Sequence, residues 1–331
     1  MTTTDLSPPL VSVRDLTVEF HGSRKASALN NVSFDLHAGE VLGLLGESGS
    51  GKSVTLRTLL KLHPQRTTRV SGKITVDGQD VLALQGRALE QYRGGVASMV
   101  FQEPGLAFDP VYTMGQQITE AIRAHQAISE TSARAQALQM LERVQIPQAK
   151  RRYDAYPHEL SGGMRQRAMI ALALACKPKL LLADEPTTAL DATVQIQILL
   201  LLRELQRETS MAVIFVTHDI GAAVELSDRI AVMYAGRIVE ENPVASMVNA
   251  PRHPYSAGLL ASTVSSHNRG KPLTAISGSP PNLADLPAGC SFAPRCARVS
   301  ALCRTETPPL VDLHGSRLAC WHPLLPLAQA A

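Results

Sequence analysis

"GESGSGKS", residues 46–53, decides the fold of this chain. The octapeptide fits the pattern G-x-x-x-x-G-K-[ST] and lies between an apolar run, "EVLGLLG" (40–46), and a helical stretch from Ser53 to about His63. A buried strand, a glycine-rich turn and a helix in this order are typical of a phosphate-binding P-loop. The glycines let backbone N–H groups surround a phosphate, and the helix N-terminus adds partial positive charge. The segment therefore predicts a nucleotide-binding α/β domain.

The loop also contains the charge and the hydroxyl that bound phosphates require. In this pattern the lysine, Lys52, reaches the β- and γ-phosphate oxygens, and Ser53 supplies a hydroxyl to Mg²⁺. The predicted nucleotide-binding residues of the segment are Gly46, Glu47, Ser48, Gly49, Ser50, Gly51, Lys52, Ser53 and Val54.

A second segment, "KLLLADEP" (179–186), predicts the catalytic half of the site. Its apolar residues predict a buried strand that ends in Asp184, whose carboxylate can hold Mg²⁺ directly or through water. Glu185 follows immediately and can polarise the attacking water as a general base. The apolar run argues against two merely solvated acids, because it places the pair at the end of a buried strand.

Composition and charge exclude several classes of protein. The chain has 331 residues, 45% hydrophobic and 18% charged, and a net charge of +3, which gives no reason to expect nucleic-acid binding. The beginning, "MTTTDLSPPL", has no basic and no apolar signal region, and no apolar run approaches the ~18 residues of a membrane span. We therefore expect a cytosolic protein, in which stable disulfides are disfavoured.

Apolar strands alternate with helices along most of the chain. Residues 10–20 and 31–40 alternate like half-buried antiparallel strands, and 211–219 is a further buried strand. A hairpin is expected over 228–241, turning at Ala235-Gly236, and the pattern between about 115 and 175 is helical. This order predicts an α/β domain with a mainly parallel sheet.

At this point "LSGGMRQR" (160–167) resembles the signature motif of ATP-binding cassette (ABC) proteins. Ser161, Gly162 and Gly163 stand at a predicted helix N-terminus and can present a hydroxyl and backbone N–H groups to an anion. The resemblance implies that this anion is the γ-phosphate of ATP bound to the opposite subunit of a head-to-tail pair.

Other cassette elements follow the family in order. Gln102 in "VFQEP" resembles the glutamine that contacts Mg²⁺ and water, and Asp191 in "TALD" resembles the aspartate that faces across the dimer. His218 in "VTHD" matches the histidine that hydrogen-bonds the γ-phosphate. Phe20 is the candidate for stacking on adenine, with an ordinary core residue at a strand end as the alternative.

The resemblance to the cassette covers about residues 10–245. It implies the fold of an ABC-type P-loop NTPase, which is α/β with a mixed sheet core, an antiparallel β subdomain and a helical signature subdomain at about 103–175. We place this nucleotide-binding domain at 1–245. From about residue 246 the composition becomes rich in proline and cysteine, which predicts a C-terminal extension at 246–331.

Two segments indicate the branch of the family. "FQEPGLAFDP" (101–110) and "APRHPYSAGLLAS" (250–262) resemble segments of bacterial peptide/nickel importer ATPases. The resemblance implies a subunit that hydrolyses ATP at the cytoplasmic face of the inner membrane and powers import of di- and oligopeptides. The alternatives are a nickel or other small-solute importer, an exporter ATPase and a non-transport ABC ATPase.

The same resemblance implies the partners of the subunit. They are two membrane permease subunits, an extracytoplasmic solute-binding protein and a second ATPase. A paralogous ATPase is favoured over a second copy of this chain, since the two ATPases of such importers usually differ.

Four of the five cysteines lie in the last 42 residues: Cys290, Cys296, Cys303 and Cys320. Their spacing, C-x5-C-x6-C-x16-C, lacks the C-x2–4-C knuckles of structural zinc sites, whereas an iron–sulfur cluster tolerates wider loops. Some peptide-importer ATPases carry a similar cysteine-rich tail with a [4Fe–4S] cluster. We predict such a cluster here, with Zn²⁺ or unoccupied thiols as the alternatives.

Overall fold

The computed structural model describes residues 8–22, 25–188, 190–262, 276–313 and 316–324. The β-strands are β1 (Val11–His21), β2 (Lys25–Leu36), β3 (Val41–Leu45), β4 (Thr68–Val76), β5 (Gln79–Asp80), β6 (Ala97–Val100), β7 (Leu180–Asp184), β8 (Ala212–Thr217), β9 (Arg229–Tyr234), β10 (Arg237–Pro243), β11 (Val311–Asp312) and β12 (Arg317–Leu318).

The helices alternate with these strands over most of the chain. They are α1 (Lys52–Leu59), α2 (Gly86–Gly95), α3 (Pro104–Ala107), α4 (Met114–His125), α5 (Glu130–Arg143), α6 (Ala149–Tyr153), α7 (Gly162–Leu174), α8 (Ala192–Thr209), α9 (Ile220–Leu226), α10 (Val244–Asn249), α11 (Pro254–Ala261) and α12 (Ala301–Thr305), with single 3₁₀ turns at Pro157–Glu159 and Ala293–Arg295. Among the helices described, none combines the length and the apolar character needed to cross a membrane.

The described residues form two compact units. The first unit consists of the described residues within Met1–Val11, Leu36–Val41 and Thr75–Phe215. The second consists of those within Ser12–Asp35, Leu42–Ile74 and Val216–Ala331.

The first unit contains parallel strands and a group of helices. Strand β7 is buried along its whole length between β8 and β6 and runs parallel to β6, as expected of an apolar strand covered on both faces. Helices α4, α5, α6 and α7 follow one another between residues 114 and 174, so the helical pattern predicted for about 115–175 is confirmed. A capping box at Thr113 starts α4, because its hydroxyl accepts the Gln116 N–H while the Gln116 side chain accepts the Thr113 N–H.

The second unit contains a mixed sheet in the order β11-β12-β10-β9-β3. Strand β3 runs parallel to β9, while β9 and β10 form an antiparallel hairpin. Its two turn residues, Ala235 and Gly236, have φ angles of 48° and 77°, as a tight hairpin turn requires. The hairpin predicted at these residues is therefore confirmed.

A second sheet of this unit has the order β2-β1-β4. The Asp15 N–H donates to the Ser33 hydroxyl at 2.8 Å, and the Asn31 N–H donates to the Thr17 hydroxyl at 3.2 Å. Residues 15 and 17 of β1 thus lie opposite residues 33 and 31 of β2, so the two strands run antiparallel. Burial alternates along β1, as predicted for a half-buried strand.

The residues after β10 continue in the second unit. Helix α11 covers Pro254–Ala261 and begins after the N-cap residue His253. Strand β12 pairs antiparallel with β10, and the Ala319 N–H donates to the Val239 carbonyl at 2.9 Å. We call residues 276–313 and 316–324 the cysteine-rich segment. It packs its Phe292 against Tyr234 and Tyr255 in a buried aromatic cluster.

Candidate nucleotide-binding site

The P-loop has the local geometry that its glycines permit. Gly51 has φ 105°, and a Cβ at this position would lie 2.7 Å from Leu29 and 2.8 Å from the Ala28 carbonyl oxygen, so no other residue fits without a shift. Gly46 packs equally tightly, because a Cβ there would collide with the Met233 carbonyl. Helix α1 begins directly after Gly51 and exposes its first N–H groups toward the loop.

Lys52 is buried and folded back over the loop. Its side chain is 5% exposed, and its amine donates to the carbonyls of Gly46 (2.7 Å) and Glu47 (3.0 Å). Both acceptors lie in the turn that the sequence predicts to surround phosphate. The ammonium group is thus held inside the P-loop, at the place where phosphate charge would arrive.

The remaining predicted residues of this segment occupy its rim and the first helical turn. Ser48 and Gly49 are exposed, Ser50 is buried, and Ser53 and Val54 are half-buried. The structure thus brings the whole predicted group 46–54 together in one turn.

Phe20 lies near the end of β1 and is half-buried. Its ring meets that of His63 edge to face, with the centroids 5.4 Å apart. His63 lies four residues after the end of α1, and a nitrogen of its ring is 3.2 Å from the carbonyl of Val54 in that helix. Phe20 is therefore connected to the P-loop helix through His63, and stacking on adenine stays a prediction.

Asp184 is the last residue of strand β7 in the first unit, and Glu185 follows it. Asp184 is 2% exposed, and Glu185 is half-buried with φ 46°. This left-handed conformation is rare for a glutamate and is typical of strained functional positions. The Glu185 carboxylate accepts hydrogen bonds from the Thr188 hydroxyl at 2.8 Å and the Gln102 amide at 3.4 Å. The structure thus brings together two residues that the sequence selected 83 positions apart, Gln102 and Glu185.

The signature segment forms the exposed N-terminus of α7. Ser161 is the N-cap, and its hydroxyl accepts the Met164 N–H at 3.3 Å. Gly162 and Gly163 are the first helical residues, and no atom approaches a Cβ placed on Gly162 within 4 Å. An uncrowded N-terminus of a long helix is well suited to an anion.

Asp191 and His218 occupy similar exposed positions beside helix starts. Asp191 caps α8 by accepting the Val194 N–H at 3.0 Å, so it also has a structural role. His218 follows β8 and precedes Asp219, the N-cap of α9. The contacts of both residues with nucleotide or with a partner subunit stay predictions.

Two residues that touch the P-loop were not found from the sequence. Tyr255 is fully buried, and its hydroxyl accepts the Glu47 N–H at 3.0 Å. Arg295 forms a two-bond ion pair with the Glu47 carboxylate, at 2.6 and 3.0 Å. The hydrogen bonds to Glu47 raise the pKa of Arg295 above its ordinary value, and burial raises that of Tyr255, so both protons stay in place. The sequence offered only weak signals for them: Arg295 directly precedes Cys296, and Tyr255 is the last residue of the "HPY" tripeptide.

Three of the four clustered cysteines have thiols that accept backbone hydrogen bonds, and Cys303 has the Ser300 hydroxyl 3.5 Å from its sulfur. Cys290 accepts from Phe292 and Ala293, Cys296 from Arg298 at 3.3 Å, and Cys320 from His322. Burial nevertheless raises the pKa of all three thiols, that of Cys320 to about 11, and the neighbouring cysteine sulfurs add to this.

No metal centre is visible in this arrangement. Among the residues that the structure describes, no three His, Cys, Asp or Glu side chains form a group that could hold a metal ion. The predicted [4Fe–4S] cluster therefore has no support from preformed coordination geometry.

The sequence matches two protein families. Residues 29–188 match the family "ABC transporter", and residues 239–303 match "Oligopeptide/dipeptide transporter, C-terminal region". A Brucella melitensis protein named "Putative peptide import ATP-binding protein" is 45% identical over 329 residues, covering 95% of this chain and 97% of the relative. A Brucella abortus protein of the same description is 46% identical and covers 98% of both chains.

Solved cassette structures have the same fold. A dimeric ATP-binding cassette bound to ADP and Pi in a post-hydrolysis state is 31% identical, with a TM-score of 0.63 over 71% of this chain and 98% of that chain. The Clostridium perfringens subunit cbiO1, part of an ABC transporter complex, is 26% identical, with a TM-score of 0.62 over 72% of this chain and 90% of that chain. The fold and the nucleotide motifs thus define an ABC-type ATPase. The chain belongs to the ABC transporter ATPases, in the branch that carries the oligopeptide/dipeptide transporter C-terminal region.

Proposed function

We propose that this chain binds and hydrolyses ATP to power the import of di- and oligopeptides across the bacterial inner membrane. One observation carries the proposal: a full set of cassette motifs precedes a C-terminal region of the oligopeptide/dipeptide transporter type. The relatives named for peptide import match along nearly the whole chain, which favours peptides over nickel or other small solutes. Import of such another solute is the second candidate, since the solute does not touch this subunit.

The P-loop residues bind the triphosphate. Lys52 exchanges its bonds to the Gly46 and Glu47 carbonyls for bonds to phosphate oxygens, which are stronger acceptors because they are charged. The Ser53 hydroxyl, Gln102 and the Asp184 carboxylate are hard oxygen ligands of the kind that Mg²⁺ prefers. Phe20 stacks on the adenine.

The catalytic step is attack by water on the γ-phosphate. Glu185 accepts the proton of this water as general base, and its two hydrogen bonds fix the carboxylate in one orientation. His218 donates a hydrogen bond to the γ-phosphate. The Mg²⁺ ion, when bound, neutralises phosphate charge.

The signature helix acts on a second ATPase subunit. Ser161, Gly162 and Gly163 bind the γ-phosphate of the partner's ATP, and Asp191 faces the same partner. The exposure of this helix N-terminus supports the role. ATP binding then closes the pair and hydrolysis opens it, which drives two permease subunits between their inward- and outward-facing states.

The assembly contains further proteins that follow from an importer. We place the chain at the cytoplasmic face of the inner membrane, with two permease subunits and an extracytoplasmic solute-binding protein. A paralogous ATPase completes the pair in preference to a second copy of this chain. The domain boundary lies near residue 245, where proline and cysteine become frequent and the second family match has just begun.

The cysteine-rich segment would hold a [4Fe–4S] cluster, with Zn²⁺ as the alternative, once its sulfurs converge on the bound group. The fit rests on donor chemistry: Cys290, Cys296, Cys303 and Cys320 offer four sulfurs, and backbone N–H bonds to sulfur stabilise thiolates. Burial opposes ionisation of the same thiols, so a metal ion is needed to keep them deprotonated. The group would supply a structural clamp and takes no part in hydrolysis.

Peptide uptake by cells that lack the gene tests the proposal. The wild-type gene should restore uptake of a labelled dipeptide, whereas Glu185→Gln should not, because loss of the general base slows hydrolysis by ~10²–10⁴-fold. The exposed Glu225 provides the matched control Glu225→Gln, which should restore uptake. Restoration of nickel uptake alone would overturn the peptide assignment. Near-normal hydrolysis by Glu185→Gln would overturn the general-base assignment.

A further inference from the structure

Glu47 of the P-loop forms an ion pair with Arg295 of the cysteine-rich segment. The Arg295 side chain is 4% exposed and directs one nitrogen to each Glu47 carboxylate oxygen, at 2.6 and 3.0 Å. Its Nε donates to the Ser277 carbonyl at 2.9 Å, which fixes the plane of the guanidinium. The pair thus has the two-bond geometry that makes arginine–carboxylate contacts strong.

The backbone of the same glutamate has a second anchor. The Glu47 N–H donates to the buried Tyr255 hydroxyl at 3.0 Å, and the Tyr255 ring packs on Tyr234 with the centroids 4.6 Å apart. Its carbonyl accepts the Lys52 amine at 3.0 Å. The carboxylate, N–H and carbonyl of Glu47 therefore each have a partner, and two of the three come from residues beyond 250.

A carboxylate at this position opposes phosphate binding. Glu47 is only 27% exposed and lies in the turn between β3 and α1, where the polyanion must enter. Like charges a few ångströms apart repel strongly where water is partly excluded. The nearby Lys52 attracts phosphate but donates to the Glu47 carbonyl, whereas Arg295 meets the Glu47 carboxylate itself.

We propose that Arg295 is a positioning residue of the ATP site, which neutralises the Glu47 carboxylate and holds the P-loop open to phosphate. The inference rests on the proposed ATP site and adds a part of it that lies outside the cassette motifs. Arg295 does not touch ATP; it acts through Glu47. Because it lies in the 3₁₀ turn Ala293–Arg295, between Cys290 and Cys296, the cysteine-rich segment sets its place.

The test measures equilibrium binding of a fluorescent N-methylanthraniloyl derivative of ATP, with Mg²⁺, to the purified full chain. Arg295→Met should raise the dissociation constant about tenfold, since a charged two-bond contact is lost and a repelling carboxylate remains. Arg295→Lys keeps the charge without the fork and should give an intermediate constant. The exposed Arg304 of the same segment provides the control Arg304→Met, which should bind like wild type.

Rescue separates this role from a purely structural one. In the double variant Glu47→Gln/Arg295→Met the repelling charge is gone, so affinity should return most of the way to wild type. A segment that merely unfolds without Arg295 would not be rescued by a change at Glu47. Trp321, the only tryptophan of the chain, lies in that segment, and its emission reports directly whether the segment stays folded.

The outcomes are distinct. Wild-type affinity in Arg295→Met, or a double variant as weak as Arg295→Met alone, overturns the inference and leaves the proposed function intact. Absence of nucleotide binding by the wild-type chain overturns the proposed function itself.

Discussion

The P-loop and the cysteine-rich segment lie in the same unit but are held by different contacts. In the P-loop, Ser50 donates its N–H to the Glu47 carbonyl at 3.2 Å and Thr55 donates to the Gly51 carbonyl at 2.9 Å. Partners in the cysteine-rich segment are far apart in the chain: Ala319 pairs with Val239, and Arg295 with Glu47. The P-loop turn is closed by bonds within itself, whereas the cysteine-rich segment is tied to the rest of the unit by bonds that span the chain, one of which reaches the P-loop at Glu47.

This difference separates the effects of mutations in the two regions. A loop closed by neighbours loses little loop entropy on folding and keeps its shape when one side chain changes. A segment held by contacts between residues far apart in the chain loses more loop-closure entropy on folding, so its stability depends on each of those contacts. We therefore expect changes in the P-loop to act on ATP binding with the fold kept. Changes in the cysteine-rich segment should act on folding first and on ATP binding only through Arg295.

The largest effect on ATP binding is expected for Lys52→Met. The buried ammonium is the charge that the P-loop offers to phosphate, and losing two charge-assisted hydrogen bonds weakens binding by about 100-fold or more. Equilibrium binding of a fluorescent ATP derivative measures the change. The exposed Lys73 gives the control Lys73→Met, with unaltered binding. Equal affinity of Lys52→Met and Lys73→Met would show that phosphate binds elsewhere.

The same contrast explains what the sequence could predict. The P-loop, the turn at Ala235-Gly236 and the N-terminus of α7 each depend on residues within eight positions of one another, so a short pattern contains them. The sequence predicted that Gln102 and Glu185 belong to the same site, but not that their side chains form a hydrogen bond. The left-handed backbone of Glu185 was not, because it depends on how β7 ends against its surroundings.

Long-range contacts left no such signal. Glu47 and Arg295 are 248 residues apart, and neither neighbourhood indicates an ion pair. The cysteine spacing predicted four donors and their common segment. It could not show how the sulfurs are directed, since this depends on the β12–β10 pairing and on the turn at Ala293–Arg295.

A smaller effect on ATP binding is expected for Cys303→Ser, which removes the most buried of the four clustered thiols. Wild-type protein purified without oxygen should be brown and contain iron, and the variant should be colourless, because a cluster needs all four ligands. The variant should also show altered Trp321 emission. Loss of the ordered segment releases Glu47 from Arg295, so ATP affinity should fall, but by less than in Lys52→Met.

Cys176→Ser is the control for this change. Cys176 lies in the first unit, with its thiol against the Ala121 carbonyl, and should leave iron content unaltered. A colourless wild-type protein with one zinc ion per chain would show that the four cysteines bind zinc and not an iron–sulfur cluster. Wild-type protein without any metal, together with unchanged Trp321 emission in Cys303→Ser, would contradict the clamp.

The smallest effect at neutral pH is expected for His253→Asn, and it sharpens the comparison because it acts on stability alone. His253 is 1% exposed, and burial lowers its pKa from 6.5 to about 4. The unfolded chain therefore binds this proton more readily, so the stability present above pH 6.5 is lost as pH falls toward 4, by about 2 kcal/mol at pH 5. Asparagine can still accept the Tyr255 N–H that caps α11, but it does not titrate.

Denaturant unfolding between pH 7 and 4.5 measures the effect. The free energy of unfolding should fall less with decreasing pH in His253→Asn than in wild type, whereas the control His158→Asn, at an exposed histidine, should follow wild type. Parallel pH curves for wild type and His253→Asn would mean that folding leaves the pKa of His253 unchanged, and that the contacts around His253 differ from those described.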